Sequence, residues 1–497
     1  MTSTTNPNVD VIESSIGSFG RYHIFLTISI FLVKFSIAWH QLGIVILAPV
    51  TEFECSNKTL DKCSPDCPSH LFNKSIFEET IITQWDLVCE RKELSNLAQL
   101  TFMFGVLLGN FIFGFLSDRF GRRNPLVWTV VLQVASGVGA AFAPWYWLFI
   151  VLRALCALAT GGTMITSFVL LMEIIGKEKR TSVGILYQLP SDAGYSLLGL
   201  FGYLIRDWHY IQMAISIPSV ILIAYYWIIP ESPRWLLTVG RTEESIAVMQ
   251  KIAGHNHLST NNIKENITNH VENMPPSKQH GGNVFDLIRT KEMRIRSLCM
   301  FFNWLSTGMS FFGVAQYMTQ MGGDIFVNIA IAGLVQIPGI FIVLLILGRV
   351  GRKSTLICTN VLCGVACLLI TVIPTEPFWP TLVLVNLSMM GISMSFNILY
   401  VYSGELFPTV VRNMGMGSAS MFSRVGSMVA PFVAELGTVQ PWLPPLIFGL
   451  MPLISTAACF RLPETLNNKL PDTIEEAEQI GRLDKPPDKM RIITERQ

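Results

Sequence analysis

The chain has 497 residues, of which 51% are hydrophobic and 14% are charged, and its formal net charge is +1. A soluble protein would carry about a quarter charged residues, and a nearly neutral chain has no bulk attraction to nucleic acid. Apolar residues fall in runs of roughly 20, the length of helix that crosses a bilayer. The sequence therefore predicts an all-α polytopic membrane protein whose partners include the lipid bilayer and no nucleic acid.

Twelve apolar spans are predicted along the chain. The residues before the first span are polar and lack the apolar core and cleavage site of a signal peptide, so a cytoplasmic N-terminus is expected. The predicted spans, numbered 1 to 12 from here on, cover 23–48, 95–116, 125–143, 147–171, 183–205, 209–229, 296–318, 326–347, 354–373, 380–403, 414–436 and 442–460.

The first long polar loop, residues 49–94, combines cysteines with glycosylation sequons. Its sequons begin at Asn57 and Asn73, and its four cysteines are Cys55, Cys63, Cys67 and Cys89. An even number of cysteines together with sequons is typical of an extracellular, oxidising environment. We expect two disulfides here, and the sequence leaves all three pairings open.

Basic residues are concentrated in alternate short loops. Lys and Arg follow spans 2, 4 and 8, whereas the connections at 143–145, 322–324 and 440–442 contain neither. Because basic loops remain on the cytoplasmic side, both termini are predicted to be cytoplasmic and the cysteine loop extracellular. The predicted localisation is the plasma membrane, as a multi-pass protein.

These spans define the predicted domains. Residues 242–254 have the apolar spacing of an amphipathic helix, and Thr473 with Glu476 has the spacing of a capping box. The domains are a cytoplasmic N-terminus at 1–22, an N-terminal six-helix bundle at 23–230 that includes the extracellular loop 49–94, a cytoplasmic linker with short helices at 231–295, a C-terminal six-helix bundle at 296–460 and a cytoplasmic tail at 461–497.

Landmarks of the first half recur in the second half, 230 to 233 residues later. The matching landmarks are 118–123 with 348–353, Glu173 and Arg180 with Glu405 and Arg412, and Glu231 with Glu464. Such spacing indicates two six-helix bundles related by duplication. That arrangement is typical of secondary transporters, in which the substrate site lies between the two repeats.

Several motifs resemble those of a known family. The segment GFLSDRFGRR at 114–123 is similar to the loop 2–3 signature of the major facilitator superfamily. The segments that resemble the organic ion transporters of solute carrier family 22 are QWDLVC at 84–89, PESPRWL at 230–236, GELFPT at 404–409 and LPETL at 462–466. The resemblance implies the major facilitator fold, with twelve transmembrane helices in two bundles that rock about a central cavity by alternating access.

The repeated charges are candidates for gating. The first charge cluster is Asp118, Arg122, Arg123, Glu173, Arg180, Glu231 and Arg234, and the second charge cluster is Arg352, Glu405, Arg412 and Glu464. We expect such clusters to stabilise the outward-facing state and to break on opening inward. The alternative is that they are topology-determining basic residues with incidental carboxylates. Gly348 occupies the position where the motif has its acid, which weakens the second cluster.

Four ionisable residues lie inside predicted spans, where a charge is costly and indicates function. They are Lys34, Arg153, Asp192 and Arg424. Lys34 and Asp192 are on neighbouring helices of the implied fold, so they are predicted either to form an ion pair or to leave Lys34 free to bind substrate. Arg153 is predicted to have a structural or coupling role.

Two positions bear on substrate charge. Cation carriers of the family that these motifs resemble have acids at positions that match Gln336 and Arg424 here, so both acids are missing. Both residues are nevertheless candidates to bind substrate. The arginine resembles the organic anion and carnitine-type carriers, and a guanidinium binds a carboxylate through two parallel hydrogen bonds. The additional lysines of the anion carriers are replaced by Met389 and Ile340. These residues favour a monocarboxylate or zwitterion as substrate.

Aromatic residues of the central spans are candidates to line the cavity. Their rings can stack on an organic substrate or hold its cationic end, although any one of them can equally be helix-packing core. The candidates are Trp304, Phe311, Phe312, Phe168, Tyr187, Phe396 and Tyr400.

The predicted function is secondary or facilitative transport of a small organic ion, anchored by Arg424. The sequence contains no phosphate-binding loop, nucleophile elbow or metal-ligand cluster, so no enzyme activity, catalytic residue, cofactor or metal is predicted. A coupling ion or counter-substrate is left open. The alternatives are an organic cation transporter that uses the aromatic residues of the cavity, and a non-transporting receptor or channel of the same fold.

Overall fold

The computed structural model describes residues 11–57, 60–272, 285–374, 378–466, 468, 471 and 473–479. Helices dominate these residues, because long apolar segments in a bilayer must pair every backbone group within the segment. The two strands that the described residues contain, Phe53–Cys55 and His70–Phe72, form an antiparallel pair in the cysteine loop.

The first half contains the helices of spans 1 to 6. Three of these spans are broken. Span 1 is broken at Gly43, span 5 at Tyr187–Gln188 and span 6 around Pro218. The breaks in spans 5 and 6 lie beside Pro190 and Pro218, and a proline removes a backbone hydrogen-bond donor. The helices are Arg21–Leu42 with Ile44–Leu47, Glu93–Phe120, Arg123–Ala141, Tyr146–Ile174, Lys177–Leu186 with Leu189–Ile205, and Trp208–Ser216 continued by Ile217–Ala224 and Tyr225–Ile228.

The second half repeats this arrangement with spans 7 to 12. Its helices are Lys291–Tyr317, Ile325–Val350, Arg352–Ile370, Trp379–Leu406, Arg412–Glu435 and Leu443–Cys459. Short helical turns extend two of them, at Met318–Gln320 and Leu436–Thr438. The remaining short helices are Val11–Ile16, Ile81–Gln84, Cys89–Arg91, Pro233–Thr238, Thr242–His255, Ile263–Glu272, Asp286–Arg289 and Ile474–Gln479.

Nine helices in the described part of the chain are long and apolar enough to cross a membrane. The other three predicted spans are also helices, but each falls short of this length or hydropathy for an identifiable reason. Span 5 is divided before Pro190, span 11 is rich in Gly and Ser and contains Arg424, and span 12 is an apolar helix of 17 residues. The predicted fold of twelve helices is therefore confirmed.

The helices form two bundles. Spans 1 to 6 pack on one another, and spans 7 to 12 do the same. The bundles meet mainly where span 2 packs on span 11 and where span 5 packs on span 8. We call the end of the molecule that contains loop 49–94 the loop side, and the end that contains residues 231–290 the linker side.

Two local predictions outside the spans are confirmed. Helix Thr242–His255 buries Ile246, Met249 and Ile252 against Ile12 and Ile16 of the first short helix. In the tail, the backbone N–H of Glu476 donates to the hydroxyl of Thr473 at 3.3 Å, which caps helix Ile474–Gln479. Amphipathic spacing and capping chemistry were sufficient to locate both helices.

The cysteine loop contains both expected disulfides. Cys55 is bonded to Cys67, and Cys63 is bonded to Cys89. Of the sequon residues, Asn73 is exposed, and its amide donates to Glu52 Oε2 at 3.3 Å. Residues 58–59 of the Asn57 sequon lie outside the described residues, and glycosylation at both sites stays a prediction.

Candidate substrate site

Arg424 lies in the middle of span 11, where the surrounding Gly and Ser residues leave room for a long side chain. The side chain is buried, and its Nη2 donates to the Sδ of Met164 in span 4 at 3.3 Å. Its Nε makes no hydrogen bond, and the described residues place no carboxylate against it. Since a thioether is a weak acceptor, the guanidinium retains donors for a ligand at the interface between the bundles.

Lys34 of span 1 reaches the same interface. Its Nζ donates to Gln188 Oε1 at 3.2 Å and lies 4.6 Å from the centre of the Tyr187 ring. It also interacts electrostatically with both Asp192 and Arg424. We call Lys34, Met164, Tyr187, Tyr400 and Arg424 the central site.

The predicted direct ion pair between Lys34 and Asp192 is wrong. Gln188 lies one helical turn before Asp192 and takes the contact with the ammonium group. Asp192 is buried, and its Oδ2 makes no hydrogen bond to the residues that the structure describes. The break in span 5 ahead of Pro190 brings Gln188 to the start of a helix, which sequence spacing alone does not reveal.

A row of aromatic rings crosses from one bundle to the other. Tyr187 and Phe168 of the first bundle have centroids 5.6 Å apart, and Phe168 lies 6.0 Å from Tyr400 of the second. Tyr400 lies edge-on to Trp304 at 4.7 Å, and Trp304 lies 6.0 Å from Phe396. The structure therefore brings together five of the predicted aromatic residues beside the two cations.

Two predicted binding residues lie further from this group. Phe312 is buried and contacts Phe311, whose ring in turn meets Phe396. Gln336 donates to the carbonyl of Ala332 in its own helix at 2.9 Å, while its Oε1 makes no hydrogen bond. Substrate contacts of both residues stay predictions.

The first charge cluster is assembled at the linker side around Arg122. Arg122 Nη2 binds Glu173 Oε1 at 2.8 Å, Nη1 binds Asp118 Oδ1 at 2.6 Å, and the backbone N–H donates to Glu231 Oε1 at 2.7 Å. Burial by itself lowers the pKa of Arg122, but the bonds to Glu173 and Asp118 outweigh it and raise the pKa. This arginine is therefore permanently charged.

The other members of the first charge cluster surround this core. The backbone N–H of Arg123 lies 3.3 Å from Glu231, and Arg123 extends over the Tyr226 ring. Arg234 Nε donates to the carbonyl of Glu173 at 2.8 Å, and Arg180 Nε donates to that of Ile175 at 3.0 Å. The two arginines thus hold the end of span 4.

The second charge cluster reproduces these contacts almost bond for bond. Arg352 Nη2 binds Glu405 Oε1 at 2.8 Å, and its backbone N–H donates to Glu464 Oε1 at 2.9 Å. Arg412 Nε donates to the carbonyl of Phe407 at 3.1 Å, as Arg180 does in the first half. Since Gly348 provides no acid, Arg352 Nη1 donates to the Leu347 carbonyl instead. The duplication indicated by the landmarks is therefore visible as matched geometry.

Comparison with known proteins shows which family this chain resembles. Residues 27–477 match the family described as "Sugar (and other) transporter". The chain is 36% identical over 426 residues to the "Organic cation transporter protein" of Drosophila melanogaster, covering 84% of this chain and 78% of that protein. It is 35% identical to "Solute carrier family 22 member 6" of Pseudopleuronectes americanus (89% and 80%), and 33% identical to the human "Organic cation/carnitine transporter 2" (86% and 77%).

The chain belongs to solute carrier family 22 of the major facilitator superfamily. Members of this family are transporters, so the protein is a membrane transporter and not an enzyme. The inward open structure of the xylose transporter XylE from E. coli shares the fold, with a TM-score of 0.66 at 18% identity over 92% of this chain and 99% of that one.

In this member of solute carrier family 22, the ion pairs of each charge cluster join residues of one bundle. Arg122, Asp118 and Glu173 all belong to the first bundle, and Arg352 and Glu405 both belong to the second. A rocking motion of whole bundles therefore need not break these bonds. The clusters act first as braces at the ends of the helices, and their role in gating stays a prediction.

Both clusters depend on a glycine that precedes the central arginine. Gly121 and Gly351 have φ angles of +93° and +99°, a conformation that L side chains rarely adopt. A Cβ at Gly121 would lie 2.2 Å from Glu231 Oε2, and one at Gly351 would lie 2.4 Å from Glu464 Oε2. The glycines therefore let a carboxylate reach the backbone N–H of the next residue.

Sequence reasoning missed a contact between the bundles at the loop side. Glu435, at the end of span 11, binds Lys92 at the start of span 2 at 3.2 Å and accepts a hydrogen bond from Asn96. Lys92 also donates to Thr438 at 3.2 Å. We call these four residues the loop-side latch. The available signal was Glu435 itself, an acid at the loop-side end of a membrane span.

The loop-side latch forms part of the wall of a vestibule of about 1070 Å³. Its other walls come from the cysteine loop, including Phe53, Phe72 and the carboxylates of Glu52 and Glu54. Elsewhere between the bundles, Ser196 of span 5 donates to the carbonyl of Ala330 in span 8 at 2.9 Å. The bundles are therefore joined by this hydrogen bond as well as by the loop-side latch.

Proposed function

We propose that this protein transports small organic ions that contain a carboxylate, and that Arg424 anchors that carboxylate. The observation that carries the proposal is a buried guanidinium at the bundle interface whose one hydrogen-bonding partner among the described residues is a thioether. A buried charge without a counter-charge is costly. A carboxylate ligand supplies that charge and fits the planar fork of the arginine.

The charge balance of the central site supports a substrate with one carboxylate. Lys34 and the neighbouring Asp192 are one basic and one acidic group that offset each other, so Arg424 supplies the one uncompensated positive charge at the site. A dianion would lack a second free cation, whereas a monocarboxylate or a zwitterion is matched. The aromatic rings of Tyr187, Tyr400 and Trp304 provide the surface for the organic part of the substrate.

An organic cation is the second candidate substrate. Asp192 has a buried carboxylate oxygen without a hydrogen-bond partner, and ring faces attract cations. The names of the relatives include organic cation as well as cation and carnitine carriers. We place the cation second because Lys34 and Arg424 repel it from the same site.

We further propose that transport proceeds by alternating access in the plasma membrane, with the loop side extracellular and both termini cytoplasmic. The loop-side latch joins the bundles at one end, while the ion pairs at the linker side lie within single bundles. This pattern supports a state closed on the extracellular side. A non-transporting receptor of the same fold would not require bundles that are joined at one end and free to separate at the other.

Competitive uptake tests the substrate class. Cells that express the protein are given radiolabelled hippurate, carnitine or tetraethylammonium, which are an anion, a zwitterion and a cation. We expect saturable uptake of hippurate or carnitine, stimulated by the same compound on the opposite side of the membrane. Uptake of tetraethylammonium alone would favour the cation candidate, and the absence of all three would favour a receptor.

Replacing Glu435 with glutamine should open the loop side. The variant loses the ion pair with Lys92, which is partly exposed and therefore worth about 1 kcal/mol at most. We expect a roughly threefold to fivefold rise in access from outside, since 1.4 kcal/mol is tenfold. The measurement is labelling of Gln41→Cys, beside Met164, by a membrane-impermeant maleimide, after subtraction of labelling in the same background without that cysteine.

The matched control for this test is Glu54→Gln. Glu54 is an exposed carboxylate of the same vestibule, and no ion pair joins it to the second bundle within the described part of the chain. We expect its labelling rate to equal that of the wild type. Equal rates in both variants would show that the latch does not hold the loop side closed.

A further inference from the structure

A pocket of about 300 Å³ lies at the linker side, away from the central site and the vestibule. It is formed where the start of span 3 and the end of span 6 meet the linker helix Thr242–His255. Its walls contain two basic residues, Arg123 and Lys251, and apolar residues that include Trp227 and Ile228. We call this cavity the linker pocket.

The two basic residues of the linker pocket form no ion pair with any residue that the structure describes. The guanidinium of half-buried Arg123 lies 5.1 Å from the centre of the Tyr226 ring, and the hydrogen bonds of this residue to Glu231 come from its backbone N–H. Lys251 is exposed at the pocket wall. Both side chains can therefore donate hydrogen bonds to a ligand in the pocket.

The carboxylates of the linker pocket are already engaged. Glu231 Oε1 accepts hydrogen bonds from two backbone N–H groups, at 2.7 and 2.9 Å. Glu244 binds the guanidinium of Arg241 through two hydrogen bonds, at 2.7 and 2.6 Å. The pocket therefore offers two cations whose charge is not matched by an ion pair, a combination that attracts an anion.

The internal repeat shows that this arrangement is particular to the first bundle. Lys353 occupies the position in the second half that corresponds to Arg123. Its Nζ donates to the carbonyl of Phe460 at 3.1 Å. The chain itself thus provides an acceptor for the cation of the second bundle, whereas the cation of the first bundle faces a pocket.

One wall of the linker pocket continues onto an exposed apolar surface of span 6. Trp227 is 73% exposed, and Ile221, further along the same span, is also 73% exposed. Exposed apolar side chains of a membrane span face lipid, and tryptophan is enriched at the level of the headgroups. A ligand that combines an anionic group with acyl chains would contact both the cations and this surface.

We propose that the linker pocket binds the headgroup of an anionic glycerophospholipid, with its phosphate between Arg123 and Lys251 and its acyl chains along the apolar surface of span 6. Basic pockets beside membrane helices bind such headgroups. Because Lys251 belongs to the linker helix and Arg123 to span 3, the lipid ties the linker to the first bundle. The pocket is separate from Arg424, so the inference stands whether or not the proposed substrate class is correct.

Native mass spectrometry of the purified full-length protein tests this site. The protein is titrated in detergent with dioleoyl phosphatidylserine and, separately, with dioleoyl phosphatidylcholine, which has the same acyl chains and no net charge. We expect the serine lipid to bind the wild type at least about tenfold more tightly, because each basic residue near a headgroup adds to the attraction. Arg123→Gln with Lys251→Gln should reduce this preference to about twofold or less.

The matched control is Lys264→Gln with Arg289→Gln, which removes two exposed linker cations outside the pocket and should keep the full preference. If Arg123→Gln gives no monodisperse protein, Lys251→Gln alone should lower the preference at least about threefold. The inference is overturned if the two lipids bind the wild type equally, if the pocket variants keep the preference, or if the control loses as much of it.

A final arm distinguishes a lipid from a soluble phosphate compound. Glycerophosphoserine contains the headgroup without acyl chains, and we expect its binding to be too weak to compete with the lipid at equal concentration. Binding as tight as that of the lipid would assign the pocket to a soluble phosphate ester and would overturn the lipid inference.

Discussion

The variant Arg424→Gln should lose most of its uptake of carboxylate substrates while it retains uptake of a quaternary ammonium. A carboxylate bound by two charge-assisted hydrogen bonds in a buried site gains about 1.5–3 kcal/mol from the charge. Removing the positive charge of Arg424 therefore corresponds to a loss of roughly 10- to 100-fold in uptake at low substrate concentration. The central site would change from one net positive charge to none, so the repulsion of a cation falls.

The measurement is the ratio of hippurate to tetraethylammonium uptake, normalised to protein at the cell surface. A ratio within one variant is insensitive to expression, so misfolding alone cannot produce the change. Arg289→Gln, the same replacement at an exposed linker residue, should leave the ratio unaltered. An unchanged ratio in Arg424→Gln would rule out Arg424 as the anchor.

The second cation of the central site, Lys34, extends the same variant series. Lys34→Gln removes the other cation of the central site but keeps the planar fork of Arg424. We expect a smaller fall in carboxylate uptake than in Arg424→Gln, because an ammonium attracts a carboxylate without two-point binding. An equal fall would show that net charge, and not the guanidinium geometry, selects the substrate.

Charge reversal at Arg122 should severely reduce the amount of folded protein. Arg122 and Glu173 are only 11% and 19% exposed, and breaking a buried pair costs about 3–5 kcal/mol. Arg122→Glu places a third carboxylate beside Glu173 and Asp118. We expect a fall of at least about tenfold in monodisperse protein, measured by fluorescence-detected size exclusion, since 1.4 kcal/mol is tenfold.

Two further variants test whether the effect comes from the Arg122–Glu173 ion pair or from the other contacts of Arg122. The exchange Arg122→Glu with Glu173→Arg should restore much of the folded protein, because the pair reforms with reversed polarity. Asp118→Asn removes the other acidic partner of Arg122. Because Asp118 is 76% exposed, this variant loses only a surface ion pair, which is worth about 1 kcal/mol or less. No recovery in the exchange variant would contradict the brace role of the first charge cluster.

Much of the architecture was predictable because it depends on local composition. Apolar length located the twelve spans, and the internal repeat predicted two matching charge clusters, within which the structure pairs Arg122 with Glu173 and Arg352 with Glu405. Prediction failed where side chains from distant segments compete for one contact. Gln188 displaced Asp192 as the partner of Lys34 because Pro190 divides span 5. Glu435 was missed because its partner Lys92 is 343 residues away.

The sequence by itself determined the class of protein, the helices, the duplication and the presence of an arginine inside span 11. These features follow from hydrophobic length, residue type and spacing, which do not depend on how the helices pack. Only the tertiary structure decided which cysteines pair, that the ion pairs of the charge clusters lie within single bundles, and that Arg424 meets Met164 and no carboxylate of the described residues. The physical reason is that ion pairs and hydrogen bonds act over a few ångströms. Their partners are therefore selected by the packing of helices far apart in the chain.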